Sequence, residues 1–360
     1  MIKPLTSLRF FFALMVFVSH LRFLENSDSY ILRWVFNSVF REGYLGVSFF
    51  FILSGFILAY NYQDNILKKQ KPIIVFYHAR IARIFPLHIL TFIVSLPLSY
   101  NMFIESKGLW LARAVTNLSL IQSYIPLKKI YFSFNLPSWS ISDEMFFYLT
   151  FPFLILLIPK IRNHKTFLMV VIFAVIPLLT LVIPKNYYHQ IFYINPFIRI
   201  FDFIIGIMIF NIYKNFQRKK VTLRYDFLEI SAITLLLVFF IFHLWIPQVA
   251  RYSFYYWLPM SYLIFSFSFQ KGNVSKLLSK KIFIHLGEIS FAFYMFHFLI
   301  LNYFIRLNSK FLHIENDILI SILIFSISLI VSHYSFLLFE NPMNKFVKKI
   351  LYKKNLDNTL

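Results

Sequence analysis

Residues 7–21 read SLRFFFALMVFVSHL. Between Arg9 and His20 every residue is apolar except Ser19. The run suits a membrane span, yet it carries two polar groups that a bilayer resists. The small-residue cleavage site of a secretory leader is missing from MIKPLTSLRFFFALMVFVSHL, so a retained first span is expected. Eleven helical steps separate Arg9 and His20 by roughly 16 Å in height and only about 20° in azimuth. The two share one face. That face suits a substrate with an anionic head at Arg9 and a reactive end near His20. A snorkelling arginine and a histidine bonded to a neighbouring helix would fill the same positions.

The rest of the chain extends this reading. Of 360 residues, 59% are hydrophobic and 48 are Phe, while only 14% are charged. An average soluble domain carries about 25% charged residues, and a soluble core of this length cannot absorb so much apolar surface. The expectation is an all-α integral membrane protein of about ten transmembrane helices with no separate soluble domain. The spans fall near 5–23, 44–60, 80–100, 139–159, 167–184, 191–212, 227–244, 253–269, 286–305 and 317–338. Residues 1–345 then form the membrane-embedded domain and 346–360 a short basic tail. Cys is absent, which excludes disulfides, thiolate metal sites and a cysteine nucleophile. No metal site and no bound cofactor are expected.

A net charge of +21 could suggest nucleic acid, but its placement argues for topology instead. Even-numbered loops and both chain ends hold LKKQK, PKIRNHK, YKNFQRKK, KGNVSKLLSKK and NKFVKKILYKKN. With Lys3, Arg9, Arg80, Arg83 and Arg224 this side carries 24 of the 36 Lys and Arg residues. Arg113 belongs to the sparser opposite side. By the positive-inside rule both termini are cytoplasmic, and the excess charge adds attraction to anionic lipid. The longest outside segment is 101–138. Within it SKGLWLARAVTNLSLIQSYIPL is amphipathic and is expected to lie on the interface or to re-enter.

Ionisable residues inside apolar spans are costly and mark candidate sites. Besides Arg9 and His20 they are Arg80, Arg83, Asp143, Glu144, Arg199, Asp202, His297, His333 and Glu340. In FYHARIARIFPLH, Arg80 and Arg83 lie one turn apart at the opening of the third span, where forked guanidinium groups and a helix N-terminus suit phosphate. Plain positive-inside anchoring would place them there as well. In NLPSWSISDEMFFYLTFP, Ser138 can cap a helix whose first turns carry Asp143 and Glu144. Glu144 could orient or charge-stabilise an imidazole, or pair with Arg199. In NPFIRIFDFIIG, Arg199 and Asp202 form a natural i, i+3 ion pair. In GEISFAFYMFHFL, Tyr294 and His297 stand at i, i+3, suited to packing or to catalysis.

Together these stretches resemble the acyltransferase 3 family of integral membrane acyltransferases. Arg9 and His20 match its Arg/Lys-x10-His motif. GYLGVSFFFILSGFILAY resembles the second-helix signature, with Gly46, Val47, Phe50, Leu53, Ser54, Gly55 and Phe56 in place. Arg80, Arg83 and Pro86 match RxxR-x-x-Pro. Trp139, Ser140, Ser142, Glu144, Phe147 and Tyr148 match W-S-L-S-x-E-x-x-F-Y. Arg199, Asp202, Phe203 and Gly206 match R-x-x-E/D-F-x-x-G, while Gly287, Ser290, Tyr294 and His297 match G-x-x-S-x-x-x-Y-x-x-H. Glu340 and Pro342 close the set as E-x-P. Ser48 stands where an Asp is common, and Met145 where a second Glu is frequent, leaving the acidic role to Glu144.

The resemblance implies about ten helices around a funnel, with acyl-CoA, usually acetyl-CoA, as donor co-substrate. It implies an acceptor hydroxyl on a cell-surface glycan or lipid-linked glycan, at the outer side of the inner membrane. His20 takes the catalytic role with Glu144, while Arg9, Arg80 and Arg83 bind acyl-CoA. Trp139, Ser142, Arg199, Tyr294 and His297 are the supporting candidates for the oxyanion or the acceptor. The competing function is a transporter or flippase for a lipid-linked glycan or organic anion, since arginines in a funnel also bind phosphate.

Overall fold

In lipid each backbone amide must find its partner within its own segment, so long apolar runs become helices. The computed structural model describes residues 1–157, 174, 176–219, 221 and 223–357, the last six by backbone alone. Among these residues there is no strand. The helices that matter below are α1 (Lys3–His20), α2 (Leu45–Leu67), α3 (Ile73–Ser95), α4 (Lys107–Leu118), α5 (Ser138–Leu157), α6 (Pro196–Arg218), α7 (Tyr225–Phe242), α8 (Trp257–Ser268), α9 (Lys281–Leu307), α10 (Asp317–Ser335) and α11 (Asn341–Asp357).

Among the described residues, seven helical stretches are long and apolar enough to cross a membrane. They are Tyr30–Leu67, Ile73–Glu105, Ser138–Leu157, Pro196–Arg218, Tyr225–Trp245, Lys281–Leu312 and Asp317–Leu351. The other three expected spans differ from these. The first corresponds to α1, whose Lys3, Arg9 and His20 lower its apolar character. The span expected near 253–269 holds only the 12-residue α8 after a 3-10 turn at Phe254–Tyr256. The span near 167–184 lies largely outside the described residues, with 176–182 helical. One boundary moves: α3 begins at Ile73 rather than near residue 80. Arg80 and Arg83 therefore stand about two turns inside the helix, beyond the first turn in which a helix N-terminus attracts anions.

The chain divides into two compact units. The first comprises Met1–Phe12, Tyr44–Pro72 and Asp143–Gly287. Its centre is the contact between α2 and α6. A Cβ on Gly55 would overlap the Phe203 carbonyl, and one on Gly206 would overlap the Ile52 carbonyl. Glycine is required at both positions so that the two backbones can touch, the usual packing device where lipid supplies no hydrophobic drive. Phe203 stacks on Phe147 at 5.1 Å, and Phe51 meets Phe147 edge-on at 4.9 Å. The expected Arg199–Asp202 pair forms at 2.9 Å with both side chains fully buried. Arg199 also donates to the Tyr252 carbonyl at 2.6 Å and to Ser48 Oγ at 2.9 Å, and Asp202 accepts from the Trp257 indole.

The second unit comprises Ala13–Gly43, Ile73–Ser142 and Glu288–Leu360. Here Phe17 of α1 packs on Phe293 of α9 at 5.6 Å and on Phe325 of α10 at 5.8 Å. Helix α11 packs on α3. The segment between α3 and α5 is tied down by buried polar contacts. Asn117 of α4 gives its carbonyl to His88 Nε2 at 2.9 Å and its amide to the Ser133 carbonyl and Ser138 Oγ, both at 3.1 Å. Ser138 Oγ, expected as a helix cap, thus accepts from Asn117, and from Gln122 at 3.4 Å. Helix α4 starts at the Ser106 cap and buries Arg113, Ala114 and Asn117 while Leu109, Leu111 and Val115 face out.

Candidate active site

Helix α1 is continuous from Lys3 to His20, so Arg9 and His20 do lie on one helix. His20 is its last residue. In the second unit its Nδ1 lies 2.9 Å from His297 Nε2 of α9, and the two rings stack at 5.1 Å and 26°. His297 is fully buried, and its Nδ1 lies 3.2 Å from the Phe293 carbonyl one turn earlier. These contacts fix the tautomers. A carbonyl only accepts, so His297 carries its proton on Nδ1 and presents a bare Nε2. His20 must then carry its own proton on Nδ1 and donate it to that nitrogen. The remaining lone pair of the dyad is on His20 Nε2, which has no hydrogen-bond partner among the described residues. A neutral imidazole with an anchored Nδ1–H and an open Nε2 is the form a general base needs.

Around this dyad α9 presents Tyr294, whose ring lies 5.8 Å from that of His297. Ser140 Oγ lies 2.9 Å from the Pro137 carbonyl and 2.7 Å from the Tyr294 hydroxyl, which itself lies 3.5 Å from the same carbonyl. Ser142 donates to the Leu120 carbonyl at 2.6 Å and accepts from Ser123 at 2.7 Å. Its proton is committed to that carbonyl. Trp139 is buried on the first turn of α5. Phe298 meets the His20 ring edge-on at 5.2 Å, giving the dyad an apolar wall.

The arginines lie toward the start of α3. Arg83 pairs with the buried carboxylate of Glu340 and sets its guanidinium 5.1 Å from the Phe291 ring centroid. Phe291 and His297 are both on α9, six residues apart, which is a rise of roughly 9 Å. Within the second unit one helix therefore joins the arginine end to the histidine end. Arg80 stands one turn before Arg83, and Lys348 of α11 lies within electrostatic reach of both.

Glu144 belongs to the first unit. Its Oε1 accepts from Tyr148 Oη at 2.5 Å and from Ser54 Oγ at 3.1 Å. Arg199 is fully enclosed by Asp202, Ser48 and the Tyr252 carbonyl. Arg9 is partly buried on α1.

The model of the acyltransferase 3 family, described as an acyltransferase domain, matches residues 4–336. The chain belongs to this family. Acyltransferase MdmB of Streptomyces mycarofaciens is 34% identical over 163 residues, which is 44% of this chain and 41% of that relative. Putative acetyltransferase ORF330 of Acidianus two-tailed virus is 27% identical over 272 residues, covering 73% of this chain and 74% of the relative. No solved structure matches the chain.

Family membership and seven membrane-length helices among the described residues give the chain the character of a multi-pass membrane protein. Its motif residues find partners in one another. His20 meets His297, Ser140 meets Tyr294 and Arg83 meets Glu340 in the second unit. In the first, Glu144 meets Ser54 and Tyr148, and Arg199 meets Asp202. Sequence reasoning named each of these residues. It missed the pairing of the two histidines and of Arg83 with Glu340. The available signal was a shortage: His297 has no acid within its own helix turn to orient it, and Glu340 has no cation within four residues before it.

Proposed function

We propose that this protein moves an acetyl or other short acyl group from cytoplasmic acyl-CoA to a hydroxyl of a cell-surface glycan or lipid-linked glycan at the outer side of the inner membrane. The observation that carries this reading is the His20–His297 dyad, whose open nitrogen is His20 Nε2. His20 Nε2 takes the proton of the acceptor hydroxyl as its oxygen attacks the thioester carbonyl carbon. The C–S bond then breaks, and the departing CoA thiolate recovers the proton from His20. The orienting part expected of Glu144 falls to His297, which holds Nδ1. We assign Trp139 and Tyr294 to the developing oxyanion, Tyr294 turning its hydroxyl away from Ser140 to reach it.

Arg80, Arg83 and Arg9 bind the CoA phosphates, and their side is cytoplasmic by the distribution of Lys and Arg. The names of the two relatives, an acyltransferase and a putative acetyltransferase, support acyl transfer and favour acetyl as the group moved. The test is to reconstitute the full chain in vesicles and follow free CoA from acetyl-CoA, with glycan mass spectrometry of cells with and without the gene. Acetyl-sized mass shifts that vanish in a His20→Ala strain support the reading. A chain that moves glycan or anion across the vesicle and releases no CoA would make it a transporter instead.

A further inference from the structure

The cations around Arg83 extend onto a second helix of the same unit. Asp317–Leu351 runs as one helical stretch through the π-helical turn at Phe336–Glu340. On this stretch Phe325 packs against Phe17 at 5.8 Å and Phe293 at 6.1 Å, on the helices that carry His20 and His297. Further along, Glu340 pairs with Arg83. Lys348 follows eight residues later, roughly 12 Å beyond Glu340 along the helix. Helix α11, which carries it, packs on α3, and its charged neighbours are Arg80 and Arg83. The Lys348 side chain is half-buried. Among the described residues it makes no hydrogen bond and no ion pair with an acid.

The order of these groups has a direction. Tyr303 of α9 donates to the Val94 carbonyl of α3 at 2.7 Å, so the two helices run the same way from the contact of Arg83 with Phe291. Arg80 therefore lies further from the histidine dyad than Arg83. Lys348 lies beyond Glu340 on a helix that leads away from Phe325. Three cations are thus gathered where α3 and α11 meet, on the side of Arg83 away from the histidines. Like charges brought together repel, and Glu340 is committed to Arg83. A phosphate among them turns the repulsion into attraction.

We propose that Lys348 binds the 3′-phosphate of CoA and makes the donor site select CoA over its 3′-dephospho form. The assignment rests on the acyl-CoA reading above. In acyl-CoA the thioester, the pantetheine arm, the diphosphate and the ribose 3′-phosphate follow in that order. With the thioester at His20, the 3′-phosphate is the group at the far end, and Lys348 is the cation furthest along that path. The chemistry matches as well. Guanidinium forks one turn apart suit a diphosphate. A compact ammonium on a flexible stem suits a phosphate monoester, which carries about −1.5 to −2 charges at pH 7. An anionic lipid headgroup offers the same phosphate chemistry, and the experiment separates the two sources.

The test is equilibrium binding of CoA and 3′-dephospho-CoA to the full chain in nanodiscs, once in phosphatidylcholine and once with phosphatidylglycerol added. Wild type should bind CoA about tenfold or more tightly than 3′-dephospho-CoA, the contribution of one charge-assisted contact. Lys348→Gln should weaken CoA by about the same factor and leave 3′-dephospho-CoA within about twofold, in both lipids. Lys348→Arg should keep the preference. Lys345→Gln, at an exposed position of the same helix, should change neither ligand. Equal weakening of both ligands by Lys348→Gln, or weakening of neither, overturns the proposal. So does a thermal stabilisation by phosphatidylglycerol that Lys348→Gln abolishes while the preference for CoA survives, which assigns the lysine to lipid. Wild type that binds CoA without preferring it overturns this proposal alone. Wild type that binds neither ligand overturns the acyl-CoA reading, and this assignment with it.

Discussion

His20 and His297 are 277 residues apart in sequence, and their Nδ1 and Nε2 atoms meet at 2.9 Å. The contact turns two isolated intramembrane imidazoles into a one-directional chain of donors. It runs from His20 Nδ1–H to His297 Nε2, and from His297 Nδ1–H to the Phe293 carbonyl.

Replacement of the terminal base is the first consequence. His20→Ala should lower acetyl transfer by about 10²–10⁴-fold, the contribution of a positioned base. Binding of acetyl-CoA should stay within about twofold of wild type, because the phosphates are held elsewhere. Stopped-time CoA release and equilibrium binding on the same preparation check both.

His297 is a positioning residue, so its variants should separate by hydrogen-bonding ability. His297→Gln keeps an acceptor for His20 Nδ1–H and should retain more turnover than His297→Ala, the two differing by about tenfold or more in kcat. The KM for acetyl-CoA should be the same in both. Equal kcat values for Gln and Ala would assign His297 to packing alone.

Glu340 is 2% exposed and Arg83 is 28% exposed. Removing only the arginine leaves a buried carboxylate uncompensated, a loss of up to about 3–5 kcal/mol for a fully buried pair and less for one partly wet. Thermal unfolding should therefore rank Arg83→Ala below the double variant Arg83→Ala/Glu340→Ala. The KM for acetyl-CoA should rise in both, since both lack the guanidinium. Recovery of stability without recovery of KM distinguishes a phosphate ligand from a helix tie.

Gly55 is the contact point of α2 with α6, where a Cβ would overlap the Phe203 carbonyl. Backbone cannot swing aside as a side chain can. Gly55→Val should cost more than about 3 kcal/mol, at the upper end of overpacking effects. Loss of monodisperse protein on size exclusion, with the conservative Ser54→Ala variant still folded, is the expected pattern.

Much of this was legible in the order of residues. The length and apolarity of the runs gave the helical class, and the i, i+3 spacing of Arg199 and Asp202 gave an ion pair that the structure forms. Helix geometry placed Arg9 and His20 on one helix. What escaped was every contact made across sequence distance. The spacing of Glu144 said nothing of Ser54, nor that of Arg83 of Glu340, because helix periodicity reports only neighbours within a turn or two. The start of α3 escaped too: Ile73, Ile74 and Val75 read as loop end beside LKKQKP, yet they are helical. Arg113 looked like one of the sparse cations of an outer loop. Its burial comes from the tertiary packing of the α4 face that also holds Ala114 and Asn117, which no local pattern encodes.

The placement of Phe291 and His297 on a single helix makes α9 a ruler. The spacing between Phe291, against whose ring the Arg83 guanidinium rests, and His297 is graduated in peptide bonds, so loosening the surrounding bundle does not stretch it. One residue inserted between them would lift His297 by about 1.5 Å and turn it by about 100°, away from His20, with the helix itself intact. Under the function proposed above, a change in the number of residues between 291 and 297 would move the acyl-transfer end against the phosphate end without unfolding either.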